Sequence, residues 1–294
     1  MTYAEAAVLC PEDASCIFGA RPAHSPHPGR DRLSWGVEVK RHQLNRQQYL
    51  YHAGQPFRSL FMVHAGLVKA CELASDGREH ISGFPMNGDL IGVESVGMGN
   101  YACDVVALES SEVWELPYRL LLGACMLHPE LQIRLSAILA AEIRRLRVWA
   151  LALATHSAPQ RVAGFLLELA ARYQSRGYSG SHFILRMSRK EIASYLVLQH
   201  ETVSRALTQL ADSRFIAVER NEVRILEHGA MALLVEQGDE PGRLRRSRAI
   251  RETLLDQFVT FAVDDKRLGL LYVRRSLQFS DRISAGRRLL VVEK

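Results

Sequence analysis

Long apolar runs are absent from this 294-residue chain. Its most apolar stretches, Leu120 to Leu127 and Val148 to Ala154, fall far short of the roughly 20 residues that span a bilayer, so no membrane partner is expected. Cysteine is scarce. The five (Cys10, Cys16, Cys71, Cys103, Cys125) are too few and too odd in number for a disulfide framework. The first ten residues hold neither Lys nor Arg and no long apolar run, which argues against a secretory leader. No HExxH, CxxC, GxSxG or P-loop spacing occurs, and with those motifs go the enzyme classes they serve and any obvious metal site. These absences describe a reduced, cytoplasmic, non-enzymatic protein.

A basic body is also missing. The net charge of +5 comes from 37 Lys+Arg and 32 Asp+Glu, but residues 240–294 alone hold 13 basic and 7 acidic side chains, or +6. The first 239 residues are left with 24 basic and 25 acidic, or −1. Net charge therefore does not mark a nucleic-acid surface in the body of the chain. Motifs must.

The length suits two domains, and the texture divides it. Residues 1–32, with Pro22, Pro26 and Pro28, read as a mobile arm. Residues 33–120 carry short apolar runs such as Leu60 to Val63, Leu67 to Ala70, His80 to Phe84 and Val113 to Leu116, broken by glycine. Such short strands at Gly-containing turns predict an antiparallel sandwich or roll. Over 121–155 the spacing turns helical, with Leu131, Leu135, Ile138, Glu142, Ile143, Leu146, Trp149 and Leu153 three or four apart. A stripe that long suits a seam between two subunits, for which Leu135, Ile138, Glu142, Ile143, Leu146 and Trp149 are the candidates; packing within one subunit is the plainer alternative.

Residues 156–234 read as helix, helix–turn–helix and β-hairpin, a winged helix-turn-helix. Ser188-Arg189-Lys190-Glu191 has the form of a capping box opening one helix, and a second runs from about His200 to Asp212. Val203 belongs to the core face, which leaves His200, Glu201, Ser204 and Arg205 outward at the N-terminal end, where a recognition helix meets the major groove. Arg205 suits guanine O6 and N7, Glu201 suits cytosine N4, and Ser204 suits a base edge or a phosphate. Arg189, Lys190 and Thr202 are candidates for phosphate contacts. Val197 stands where the turn usually has glycine.

Four segments carry a family resemblance: Tyr51-His52-Ala53-Gly54 with Leu60 to Gly66; Gly77 to Phe84; Gly88-Asp89-Leu90-Ile91-Gly92; and Glu201-Thr202-Val203-Ser204-Arg205. From Leu33 to Leu234 the chain resembles the Crp/Fnr superfamily of transcription regulators, most closely its Fnr branch. The resemblance implies an α+β fold with an N-terminal cyclic-nucleotide-binding-like β-roll, a long dimerisation helix and a C-terminal winged helix-turn-helix. It further implies a homodimer on double-stranded DNA at a TTGAT-type palindrome, with RNA polymerase as a further partner and oxygen, redox state or nitrogen oxides as the signal. A module that keeps the fold for protein contacts and has lost DNA binding is the alternative.

The cofactor stays open. Cyclic-nucleotide relatives place Arg-Ser or Arg-Thr where Tyr101-Ala102 stands here, and Glu94 is displaced by one residue, so the cyclic phosphate would lack its cation. A [4Fe–4S] cluster needs four ligands. Of the Fnr pattern only Cys10 and Cys16 remain at the N-terminus, and Trp114 replaces the roll ligand. Haem is a further alternative, with His52, His64 and His80 near strands; Cys10, Cys16 and Cys103 are candidate redox thiols. Residues 235–294 match nothing in the family; their arginine cluster suits phosphate contact, a partner or a packed amphipathic helix.

Overall fold

A computed structural model describes residues 23–24, 30–32, 35–73, 77 and 79–237. Cys10, Cys16 and the basic extension lie outside the described residues.

Ten strands build the N-terminal half: β1 (Ala23–His24), β2 (Arg30–Arg32), β3 (Glu38–Leu44), β4 (Tyr49–Tyr51), β5 (Ser59–Ala65), β6 (Val68–Leu73), β7 (Glu79–Gly83), β8 (Leu90–Ile91), β9 (Asp104–Ala107) and β10 (Ser111–Pro117). They form a six-stranded sheet, β1-β2-β3-β10-β5-β8, and a four-stranded one, β4-β9-β6-β7, with antiparallel pairing throughout. Strand alternation explains the layering. On β10, Val113 faces the roll interior with Leu44, Phe61, Val63 and Val105, while Trp114 and Leu116 face a second core with Val39, Met62 and Leu121. Both faces of this strand carry buried side chains, Val113 on one and Trp114 and Leu116 on the other. The corner between β5 and β6 needs Gly66 twice over: its φ is +92°, and a Cβ there would lie 2.3 Å from Ser111 Oγ.

One expectation needs correction. Residues 23–24 and 30–32 of the supposed arm are strands, because β2 pairs with β3 and prolongs the six-stranded sheet. The helical stretch 121–155 divides at His128. α1 (Tyr118–Leu127) ends at His128, and α2 (Pro129–Thr155) starts afresh with Pro129 in its first turn, where a missing N–H costs nothing. α1 packs Leu121, Ala124 and Cys125 into the core behind the six-stranded sheet.

The C-terminal half contains α3 (Ala158–Ser175), β11 (His182–Ile184), α4 (Arg189–Leu196), α5 (His200–Asp212), β12 (Ile216–Glu219), β13 (Glu222–Ile225) and α6 (His228–Gln237). The strands form a sheet in the order β11-β13-β12. Ser157 and Gln160 box the start of α3, and the Gln160 amide donates to the Leu234 and Val235 carbonyls, tying α6 to α3. Arg161 spans the joint between the long helix and the head: its guanidinium donates to the carbonyls of Leu153 (2.7 Å), His156 (3.0 Å) and Leu196 (3.3 Å). Those are orphan carbonyls at the ends of α2 and α4. No described helix is long and apolar enough to cross a membrane.

Candidate nucleic-acid interface

The capping box predicted at Ser188 forms in both directions. Ser188 Oγ accepts from the Glu191 N–H (3.2 Å), and a Glu191 carboxylate oxygen accepts from the Ser188 N–H (2.7 Å). α4 buries Ile192, Ala193, Tyr195 and Leu196; α5 answers with Val203, Ala206, Leu207 and Leu210. Between them Val197 takes the left-handed conformation, φ 53° and ψ 51°, and Leu198 N–H donates back to the Ala193 carbonyl at 2.9 Å. The turn has the geometry of a glycine turn without the glycine.

On α5 the outward N-terminal face is the one expected. His200, Glu201, Ser204 and Arg205 are exposed, and Thr202 is half-buried. Their mutual contacts are light. His200 Nδ1 lies 3.2 Å from a Glu201 carboxylate oxygen, and Arg205 reaches Thr202 Oγ1 at 3.4 Å. Ser204 Oγ donates to the His200 carbonyl at 3.1 Å. Such contacts hold the side chains near one face while leaving most donors and acceptors of Glu201 and Arg205 available to an incoming base edge.

Arg189 and Lys190 open α4 beside this face. Lys190 is exposed, and Arg189 donates to the Arg220 carbonyl at the tip of the β12–β13 hairpin. That contact brings the hairpin tip to the start of α4. Arg220 and Arg224 are both exposed, and Arg220 thereby joins the basic edge. The polar Glu219-Arg220-Asn221-Glu222 turn between two apolar strands was the signal available for Arg220.

α2 carries two stripes side by side, which the three-and-four spacing had merged. Leu131, Leu135, Ile138, Arg145, Trp149 and Ala152 turn toward their own chain. The Trp149 ring stacks on Tyr195 at 4.5 Å and 8°, and Glu142 holds Arg145 at 2.6 and 2.9 Å. Trp149 packs on its own chain, Leu135 and Ile138 are partly buried against the core behind the six-stranded sheet, and Glu142 pairs with Arg145. The outward stripe is Ser136, Leu139, Ile143, Leu146 and Ala150, spaced three, four, three, four. Ile143 and Leu146 are about half exposed, at 53% and 47%.

The roll interior is closed by its own rings. Tyr101 stacks on Tyr51 at 3.9 Å with Phe57 and Phe61 alongside, and its hydroxyl donates to the Ser59 carbonyl at 2.8 Å. A ring thus sits where a cyclic phosphate would need its arginine, and the residues present do not fit that ligand. Cys103 is buried and donates to a Glu94 carboxylate oxygen at 3.4 Å; burial first, and Glu94 second, push its thiol far above the usual range, which leaves it protonated. Trp114 is packed against His64 at 4.2 Å and donates to Glu112, so no thiolate is offered at that place. His52 stacks on Tyr49, and His80 is exposed on β7. Among the described residues no group of three or more His, Cys, Asp or Glu is placed to hold a metal ion.

Comparison with known proteins covers both halves. Residues 41–128 match the cyclic nucleotide-binding domain model, and residues 160–234 match the Crp-like helix-turn-helix domain model. The transcriptional activator protein Anr of Pseudomonas protegens is 36% identical over 184 residues, 63% of this chain and 75% of that one. The fumarate and nitrate reduction regulatory protein of Escherichia coli K12 is 32% identical over 204 residues, 69% of this chain and 81% of that one. The structure of FixK2 from Bradyrhizobium japonicum superposes with a TM-score of 0.60 at 28% identity, covering 66% of this chain and 95% of FixK2.

Proposed function

The chain belongs to the Crp/Fnr family of transcription regulators, and from that premise we propose that it binds a TTGAT-type palindrome as a homodimer. The observation that carries this is the outward grouping of Glu201, Ser204 and Arg205 on the first turns of α5, with His200 at the helix start; Arg189, Lys190 and Thr202 are proposed to meet phosphates. Arg205 takes a guanine edge and Glu201 a cytosine amine.

The second copy packs along the outward stripe of α2. In heptad terms Ser136, Ile143 and Ala150 occupy a, and Leu139 and Leu146 occupy d. A β-branched residue at a with leucine at d favours two parallel strands. Glu142 then falls at g and Arg147 at e of the following heptad, the positions that exchange charge between parallel helices. Leu146 keeps the middle of this seam free of charge. Parallel pairing places two reading heads on one side, as successive major grooves demand.

The protein works in the cytoplasm and acts through RNA polymerase. Its signal is oxygen, redox state or nitrogen oxides rather than a cyclic nucleotide. The self-filled roll supports the exclusion, and the name of the fumarate and nitrate reduction relative supports the signal class. The test is a gel shift on a TTGAT-N4-ATCAA duplex. A complex of two chains is expected there, and a much weaker one when one half-site is scrambled. A duplex left unshifted sinks this reading and leaves a protein-interaction module in its place.

A further inference from the structure

The β7–β8 turn holds a carboxylate that is spoken for from two directions. Within the turn, an Asp89 oxygen accepts from the Met86 N–H at 2.8 Å, which fixes the side chain. From α3, Arg172 pairs with the same oxygen and also donates to the Phe84 carbonyl at 3.0 Å. Arg176 donates to the other oxygen at 2.7 Å and to the Asn87 carbonyl. Arg172 and Arg176 are four apart, so one helical face delivers both guanidiniums to one carboxylate.

The contact extends into the body. Arg145 of α2 meets Glu142 and reaches Glu168 of α3 at 3.5 Å, one turn before Arg172. Arg145 with Glu142 and Glu168, and Arg172 and Arg176 with Asp89, thus make two neighbouring ion clusters whose three carboxylates and three guanidiniums balance across α2, α3 and the roll. Burial alone would raise the Asp89 pKa, yet Arg172 and then Arg176 hold it below the ordinary carboxylate value. A second tether runs from β7, where Ile81 N–H donates to Ser194 Oγ and that hydroxyl donates to the Glu79 carbonyl, both at 3.0 Å.

A partly buried ion cluster adds little net stability, because desolvation offsets most of the attraction. What it does supply is direction: a carboxylate held on each oxygen by a different guanidinium tolerates little rotation. α3 packs on α5 and α6, so whatever aims α3 aims the reading face. None of these contacts uses His200, Glu201, Ser204 or Arg205, and the docked arrangement leaves that face open.

We propose that Asp89 is a positioning residue of DNA recognition, which acts from the roll through Arg172 and Arg176 to set the angle at which the recognition helix is presented. The inference rests on the dimeric, palindrome-binding reading above. Two heads held at fixed angles meet two half-sites at high effective concentration; loosened heads lose that gain without losing their grip on either half.

The experiment compares the full chain with Asp89→Asn, which keeps an acceptor for the Met86 N–H while removing the charge. Affinities are measured for the palindrome, for a single half-site, and for palindromes with spacers one base pair shorter or longer. Asp89→Asn is expected to weaken palindrome binding about tenfold, to blunt the preference for the correct spacer and to leave half-site affinity unchanged. Arg172→Gln/Arg176→Gln reproduces that profile from the other side, and adding Asp89→Asn to it brings little further loss. An unaltered palindrome affinity and spacer preference in both variants overturns the inference, as does a parallel loss at the half-site. A parent chain that binds the palindrome no better than the half-site overturns the dimeric reading and this inference together.

Discussion

The roll interior and the reading face of α5 treat their polar atoms in opposite ways. Inside the roll, the Tyr101 hydroxyl, Ser59 and Glu115 satisfy one another: Tyr101 donates to the Ser59 carbonyl, Ser59 Oγ donates to Glu115 at 2.8 Å, and His42 meets the same carboxylate at 2.7 Å. The His42 bond, against the opposing effect of burial, and the Ser59 hydroxyl hold the Glu115 pKa below its ordinary value. On α5, Glu201 and Arg205 make single long contacts and stay in water. A surface that must exchange water for a base edge keeps its donors uncommitted. Rings fill the remaining interior space, and although the buried Tyr51 hydroxyl has no hydrogen-bond partner among the described residues, a polar ligand finds little room beside it. The fold of a ligand-binding domain is present here with its chemistry turned inward.

Breaking this contrast starts with Tyr101. Tyr101→Ala removes the ring stacked on Tyr51 and the hydroxyl held by Ser59, and should cost about 3–5 kcal/mol of folding stability by cavity formation. Denaturant unfolding measures it, while DNA affinity of the folded fraction should stay at the parent value. A loss below about 1 kcal/mol would mean that the roll is not packed around this ring, and the exclusion of a ligand would weaken with it.

The opposite result is expected at Arg205. Arg205→Ala should cost about 1–3 kcal/mol in binding to the TTGAT site and relax base choice at one position, with folding stability within about 0.5 kcal/mol. Titration of the duplex alongside thermal unfolding separates the two. If stability falls while binding holds, the face is structural and its openness means something else.

How much of this was legible beforehand varies by region for physical reasons. The helix-turn-helix was readable because its signals are local: the Ser188–Glu191 box, the core face of α5 and the polar residues around it lie within one short stretch. The two stripes of α2 were half-legible. Inward and outward stripes both recur every three or four residues, and only tertiary contacts such as Trp149 on Tyr195 tell them apart. β1 and β2 were hidden, since proline in the flanking chain suggests no element and the pairing that makes them strands comes from β3. Asp89 was seen as part of a family motif, but its arginine partners stand more than 80 residues away and no local pattern announces them.

The last contrast lies in the corners. The roll uses glycine at almost all of its positive-φ positions, Gln47 excepted, whereas the winged helix has Val197, Arg214 and Arg220 there beside the single glycine Gly177 among its described residues. For a β-branched residue this is the costlier choice, because its Cβ crowds the following carbonyl by about 1–2 kcal/mol. Val197 is 57% exposed, so little apolar burial repays that strain. Glycine would relieve it but would widen the unfolded ensemble, which takes back a large share. Val197→Gly should therefore stabilise the chain by about 0.5–1 kcal/mol, read as a shift in the denaturation midpoint at constant slope. DNA affinity should hold or fall slightly, since the turn sets the angle between α4 and α5. If Val197→Gly destabilises instead, valine is holding the turn through packing of its own, and the head, like the roll, is built without slack.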